Sequence, residues 1–160
     1  MKLEYQLTFN DYLEANQNHS KWRKILMWII AIFFFILGLL SIIIIPAEPS
    51  SYIFLVLGIC YIPLVKLIER YNLARIWKSQ PSIREPITLE ANEEGITLKS
   101  TLFESNIKWQ VYTKFVETNK LLMLYQSNQS FNLLPKRAFS TNEQLNEFRE
   151  LLRIKGIRSR

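Results

Sequence analysis

A chain of 160 residues, 49% apolar and 21% charged, has the length of about one compact domain. Its content of Leu, Ile and Phe excludes intrinsic disorder, one Cys excludes a disulfide framework, and a lone His beside that lone Cys excludes a His/Cys metal cluster. The 20 Lys and Arg against 14 Asp and Glu give a formal charge of +6, which suits nucleic acid or an anionic membrane according to where the charge sits. It is not a block: residues 1–84 carry nine basic and five acidic groups, and residues 85–160 carry eleven and nine.

Residues 1–24 read as a strand and a lead-in helix. Leu3, Tyr5, Leu7 and Phe9 alternate with Glu4, Gln6 and Thr8, the period of a half-buried strand. Thr8 with Asp11 three positions on resembles a capping box, so a helix is predicted from Phe9 or Asn10 through Tyr12, Leu13 and Ala15. His19, among Asn16, Asn18, Ser20 and Lys21, lacks the partners that metal or acid–base work needs and is read as solvated.

Residues 25–45 hold 21 residues without a charge, followed by Pro46. At 1.5 Å per residue such a helix is about 31 Å long, close to the roughly 30 Å hydrocarbon core of a bilayer. A domain of this size has no interior wide enough to bury it on every side. A signal peptide would be shorter, less polar before the apolar run and closed by an A-x-A-like exit. The prediction is a first transmembrane helix.

A second apolar run begins at Ser51. Snorkelling by Lys66 extends it through Ile68, so residues 51–68 are predicted as a second span; a re-entrant segment is the alternative, because Pro63 interrupts the last turn. The prolines of residues 46–50 suit a tight external turn. That turn has no Lys or Arg, whereas Lys21, Arg23 and Lys24 precede the first span and Lys66, Arg70, Arg75 and Lys78 follow the second. The positive-inside rule puts both termini in the cytoplasm, in the inner or plasma membrane. The same seven basic residues form a membrane-surface cluster suited to anionic lipid. Trp22, Trp28, Tyr71 and Trp77 are read as rings anchored at the headgroup level. Gly38 and Gly58, each seven residues from the outer turn, are predicted to meet at one depth as the helix–helix contact, and Cys60 is read as an inert small residue of the second span.

Residues 69–84 continue as a juxtamembrane helix and a linker, with Pro81 and Pro86 forcing extended backbone. From residue 85 the pattern is of short strands. Ile87 and Leu89 alternate with Thr88 and Glu90; Asn92–Gly95 is a turn with Gly available for positive φ; residues 95–99 return. Ile107, Trp109, Val111 and Phe115 line one face of a longer stretch, with a bend possible at Thr113. Asn119-Lys120 and Asn128-Gln129 are predicted hairpin tips around the apolar run 121–125, and residues 131–134 form the last strand before Pro135. A closing helix is capped from Ser140 with Glu143 or from Thr141 with Gln144, presents Leu145, Phe148, Leu151 and Leu152, and ends at Gly156. The fold class is α+β: a transmembrane helical hairpin plus a small antiparallel sheet or barrel, in the strand-then-helix order of pleckstrin-homology-like (PH-like) domains. The strand near residues 3–9 is available to complete that sheet.

Asp11-Tyr-Leu13, the double span, Ile107-Lys-Trp109 with Phe115, and Leu134-Pro-Lys-Arg-Ala-Phe139 followed by a helix holding Phe148, Arg149 and Leu151-Leu152 together resemble the YcxB-like family. The resemblance implies a small bacterial membrane protein with two spans and a PH-like cytoplasmic domain. It implies no activity and no catalytic residue.

No Ser or Cys has a plausible His partner; Glu90, Glu93, Glu94 and Glu104 are candidate paired carboxylates, but Glu93-Glu94 sits in a predicted turn where solvated acids are ordinary; with four glycines there is no Gly-rich phosphate cradle. The expectation is a non-enzyme without cofactor or metal. Residues 85–160 are only +2, with cations scattered among acids, so no nucleic-acid partner is expected. What remains is a membrane-anchored interaction module that binds anionic lipid, a protein partner or a second copy. A subunit of a membrane complex or transporter, or an enzyme without a recognisable motif, is the alternative. The candidate anion site is Lys136-Arg137, beside a helix N-terminus; the plainer reading is a solvated basic turn.

Overall fold

The computed structural model describes residues 1–19, 21–44 and 49–159. Its elements in chain order are β1 (Lys2–Gln6), α1 (Phe9–His19), α2 (Lys21–Ile44), α3 (Pro49–Ser79), β2 (Pro86–Ala91), β3 (Gly95–Lys99), β4 (Glu104–Lys108), β5 (Lys114–Glu117), β6 (Leu121–Tyr125), β7 (Phe131–Pro135), α4 (Asn142–Ile154) and β8 (Arg158–Ser159). They form two units, Met1–Ala15 with Trp77–Arg160, and Asn16–Ile76. The chain is α+β, with two long apolar helices and two sheets built mainly of antiparallel pairs.

In the first unit, β1-β2-β3-β4 make one four-stranded sheet, and β7-β6-β5-β8 make the other. The N-terminal strand does join: Leu3 lies opposite Leu89 and Tyr5 opposite Ile87, although some 80 residues separate them in sequence. Alternation explains the pairing, because Leu3, Tyr5, Ile87, Leu89 and Ala91 all turn inward. Every residue of β6 is buried, and α4 inserts Leu145, Phe148 and Leu152 into the same core.

Several turns differ from expectation. Residues Pro81–Arg84 form a 3-10 turn rather than an extended linker, with Pro81 in the first turn, where its missing N–H is harmless. Gly95 is required by close approach rather than by positive φ: a Cβ there would collide with the Ile107 carbonyl and with Lys108 on β4. The long stretch around Trp109 is not one strand. A 3-10 turn at Trp109–Val111 carries the chain from one sheet to the other, burying Trp109 and exposing Val111. The Trp109 indole N–H donates to the Asn92 carbonyl at 2.9 Å, holding this corner.

Helix α4 uses the Thr141 register: Thr141 Oγ1 accepts from the Gln144 N–H at 3.2 Å. Its C-terminus is closed by Gly156 at φ 79, with the Gly156 N–H donating to Arg153 O at 2.9 Å and the Ile157 N–H to Leu152 O at 3.0 Å. This Schellman pattern turns the buried Ile157 inward and delivers β8 parallel to β5, a pairing with no signature in the sequence.

In the second unit, α2 starts four residues earlier than the apolar run, and α3 runs through Pro63 without a break to Ser79. The external turn predicted over residues 46–50 falls partly outside the described residues, and its last two residues open α3. Both helices are long and apolar enough to cross a membrane. A Cβ on Gly38 would lie 2.7 Å from the Leu55 backbone N, and one on Gly58 would lie 2.7 Å from the Phe35 backbone N. Both glycines therefore allow close antiparallel contact, staggered by three residues rather than facing one another at one depth. Because the obstacle is backbone, Gly58→Ala should destabilise the detergent-solubilised chain by about 1–3 kcal/mol. Ile59→Ala, at an exposed neighbouring position, should leave the melting temperature within about a degree. Equal melting of the two variants would remove this contact as a determinant of the pair.

Candidate functional site

Asp11 is the only charged residue among those described that is buried, with 3% of its surface accessible. It occupies the first turn of α1. Its Oδ2 accepts from the Thr8 N–H at 2.7 Å and the Thr8 hydroxyl at 2.8 Å, while the Asp11 N–H donates to Thr8 Oγ1 at 3.3 Å. This is the capping box expected from the sequence. The rest of its environment is not local. Arg137 Nη1 donates to Asp11 Oδ1 at 2.8 Å and Nη2 to Oδ2 at 2.6 Å, a two-point fork that also reaches Gln6 O at 2.9 Å. One guanidinium thus joins the end of β1, the start of α1 and the Lys136–Ala138 turn that follows β7.

Burial by itself would raise the Asp11 carboxyl. The hydrogen bonds from Arg137, then those from the Thr8 backbone and hydroxyl, outweigh it and hold the group below its ordinary value of 3.8.

Lys136 turns to a second carboxylate. Its Nζ lies 2.5 Å from Glu117 Oε1, and Arg149 of α4 donates to both Glu117 oxygens, with Nε to Oε2 at 3.1 Å. Burial pushes Glu117 up, but hydrogen bonds from Arg149 and Lys136 prevail and lower it from 4.5. Two adjacent cations of one turn therefore bind two of the chain's own carboxylates, one on α1 and one on β5.

This changes the reading of Lys136-Arg137. The turn is partly solvated, with Arg137 half-exposed, but both cations are held by carboxylates, and the N-cap of α4 is Thr141. The helix N-terminus it engages is that of α1, already occupied by Asp11. Trp77 is also reassigned: its ring packs on Phe9 at 6.1 Å and Tyr12 at 5.8 Å between centroids, within the folded unit. Trp22 and Tyr71 remain exposed rings of the helical unit.

The segments singled out by sequence meet here. Asp11 meets Arg137, and the Phe139 and Phe148 rings lie 5.5 Å apart. A sequence model described as "YcxB-like protein" matches residues 91–152, from the end of β2 to the body of α4. Over residues 91–152 the chain is similar to the YcxB-like family. A relative from Bacillus subtilis (strain 168), named "Uncharacterized protein YcxB", is 22% identical over 103 residues. That match covers 64% of this chain and 56% of the relative, so the chain matches little more than half of that protein's length. No solved structure matches the chain. The matched region supplies Glu117, Lys136, Arg137 and Arg149, whereas Asp11 comes from outside it.

The other candidates are dispersed. Glu104 pairs with Lys99 at 3.0 Å across β3 and β4, in the open. Glu94 belongs to the turn in which the Asn92 side chain accepts from the Glu94 and Gly95 N–H groups, each at 2.9 Å. Among the described residues no three His, Cys, Asp or Glu side chains come together as a metal site. Lys24, Lys66, Arg70, Arg75 and Lys78 are exposed, and Cys60 is exposed on α3. Lys21 and Arg23 begin α2, but their side chains lie outside the described residues. The Asp11–Arg137 pair was missed by sequence reasoning, although a capping Asp whose helix leads toward an apolar run and an Arg just past a strand-ending Pro were both visible.

Proposed function

We propose that this chain is a membrane-anchored, non-catalytic interaction module, with α2 and α3 crossing the bilayer as a hairpin and everything else folding on the cytoplasmic side. The observation that carries the reading is the β1–β2 register. A strand that precedes both apolar helices is hydrogen-bonded to one that follows them, so the chain must leave and re-enter the folded unit on one side, as an even number of crossings requires. Cleavage after a signal sequence would take β1 away from its partner, which argues against that alternative.

The outward surfaces of α2 and α3 support lipid as the solvent. Ile25, Leu26, Ile29, Ile32 and Ile36 on α2, and Val56, Ile59, Leu64 and Leu67 on α3, all stand exposed. No water-soluble protein leaves such an area uncovered without an aggregation liability. The excess of Lys and Arg at the ends of the helices nearest the folded unit in sequence makes that side cytoplasmic.

Four strands in each of two sheets, with a helix near the C-terminus packed into their shared core, support the PH-like reading of the folded unit. Such units bind partners at loops and sheet edges. The membrane hairpin would then be an insertion between its first and second strands.

A reporter joined after Arg160 should be active only if it works in the cytoplasm. In a Cys60→Ala background, Ser50→Cys should react with an impermeant thiol reagent in intact cells. An externally labelled C-terminus would overturn the topology, and recovery of the chain in the soluble fraction would overturn the membrane reading itself.

A further inference from the structure

The Gly38–Leu55 and Gly58–Phe35 contacts fix the register of α2 against α3. Extended along both helices, that register sets Trp22 level with Tyr71 and Ser41 level with Tyr52. Trp22 is 81% exposed, Tyr71 69% and Tyr52 55%. The two aromatic levels stand about 29 Å apart at 1.5 Å per residue, the thickness of a bilayer's hydrocarbon core, and exposed interfacial rings favour those depths.

Lys66 falls inside this zone. The register puts it level with Met27, about 7.5 Å from the Tyr71 level on the apolar side, next to the exposed Leu64, Leu67 and Ile68. Arg70 is four residues further along α3, on the same helix face, and like charges at that spacing repel unless an anion lies between them. Lys24 is level with Glu69, one turn away. All three cations are exposed. Among the described residues none of them is ion-paired with a carboxylate, in contrast to Lys136 and Arg137. An ammonium at this depth reaches upward to the headgroup layer, where phosphate oxygens are available to it.

We infer that Lys66 and Arg70, with Lys24 beside them, form a binding site for an anionic phospholipid headgroup at the Trp22–Tyr71 level. The lipid phosphate lies between the two α3 cations; in a zwitterionic lipid the same phosphate is balanced by the headgroup's own cation, so the net negative charge of an anionic lipid is what the site selects. The inference rests on the membrane reading above and adds to it a ligand class and a place.

The full chain, purified in mild detergent, is mixed with equal amounts of phosphatidylglycerol and phosphatidylcholine, and bound lipid is counted by native mass spectrometry. The wild type should retain phosphatidylglycerol in preference, and Lys66→Gln with Arg70→Gln should reduce that preference by roughly tenfold. Lys108→Gln with Lys120→Gln removes the same charge from exposed positions of the folded unit and should leave the preference intact. No preference in the wild type, or an equal loss in both double variants, would overturn the site. If the α3 double variant no longer resists carbonate extraction from membranes, Arg70→Gln alone decides, with an expected loss of roughly threefold to fivefold and no loss overturning the site. A wild type that itself comes off in carbonate refutes the membrane reading; one that stays in the membrane without lipid preference refutes only the site.

Discussion

Arg137→Ala should destabilise the folded unit by about 2–4 kcal/mol, far more than an exposed charge is worth. The reason is the position of the partner. Asp11 is buried, and removing the guanidinium leaves a carboxylate whose remaining donors are the N–H and hydroxyl of Thr8. Those two bonds, and water entering where the half-exposed Arg137 stood, keep the loss below that of a fully orphaned buried charge. Unfolding of the full chain in micelles, followed through the buried Trp109, measures it. Asp11→Asn should be costly as well, and the double variant should cost less than the two single changes combined, by 1 kcal/mol or more. Additive effects would mean that the pair is not coupled. The pH dependence supplies a second reading with a definite sign. Because Asp11 and Glu117 are both lowered in the folded state, their contribution is present above the ordinary carboxylate values of 3.8 and 4.5. It is lost as pH falls below about 4 through the depressed folded values. Arg137→Ala should flatten that acid limb, and an unchanged limb would show that the clamp does not hold Asp11 ionised.

Deletion of residues 1–6 should have the larger effect and prevent stable folding of residues 77–160. β1 is one edge of its sheet, but Leu3 and Tyr5 are buried and pair with Leu89 and Ile87. Losing them removes about 3–6 kcal/mol of apolar burial before the ladder hydrogen bonds are counted, comparable with the whole stability of a small domain. It also removes the Gln6 carbonyl that Arg137 reaches. Limited proteolysis gives the answer: the wild type should leave a resistant fragment spanning β2 to α4, and the truncated chain should be digested through it. Leu3→Ser, a milder change, should lower the melting temperature without abolishing the transition. A truncated chain with an unchanged resistant core would show that β1 is dispensable.

Much of this could be read directly from the residues, because the signals are local. The Thr8–Asp11 cap, the apolar lengths of α2 and α3, the Asn92–Gly95 turn, the hairpin tips near Asn119 and Asn128, and Gly156 as the end of α4 each depend on neighbours within a few positions. The misreadings have an equally local cause. Trp109 and Val111 fit strand alternation, and only the need to turn the chain between two sheets bends them into a 3-10 turn. Gly95 looked like a residue chosen for positive φ, whereas what demands a glycine is the backbone of β4 behind it.

The candidate site was legible in its residues but not in its pairing. Lys136-Arg137 stood out as basic and Asp11 as a cap, yet nothing in the order of residues says that position 137 meets position 11. A two-point ion pair over that separation exists only once β1 has added to β2 and the turn after β7 has come to the start of α1. The sequence by itself determined the helical lengths, the caps, the strand alternation and the charge asymmetry around the apolar runs, since each follows from the chemistry of adjacent residues. Only the tertiary structure decided which cations are committed to the chain's own carboxylates and which stand without one, because burial and long-range proximity are properties of the assembled sheets and helices.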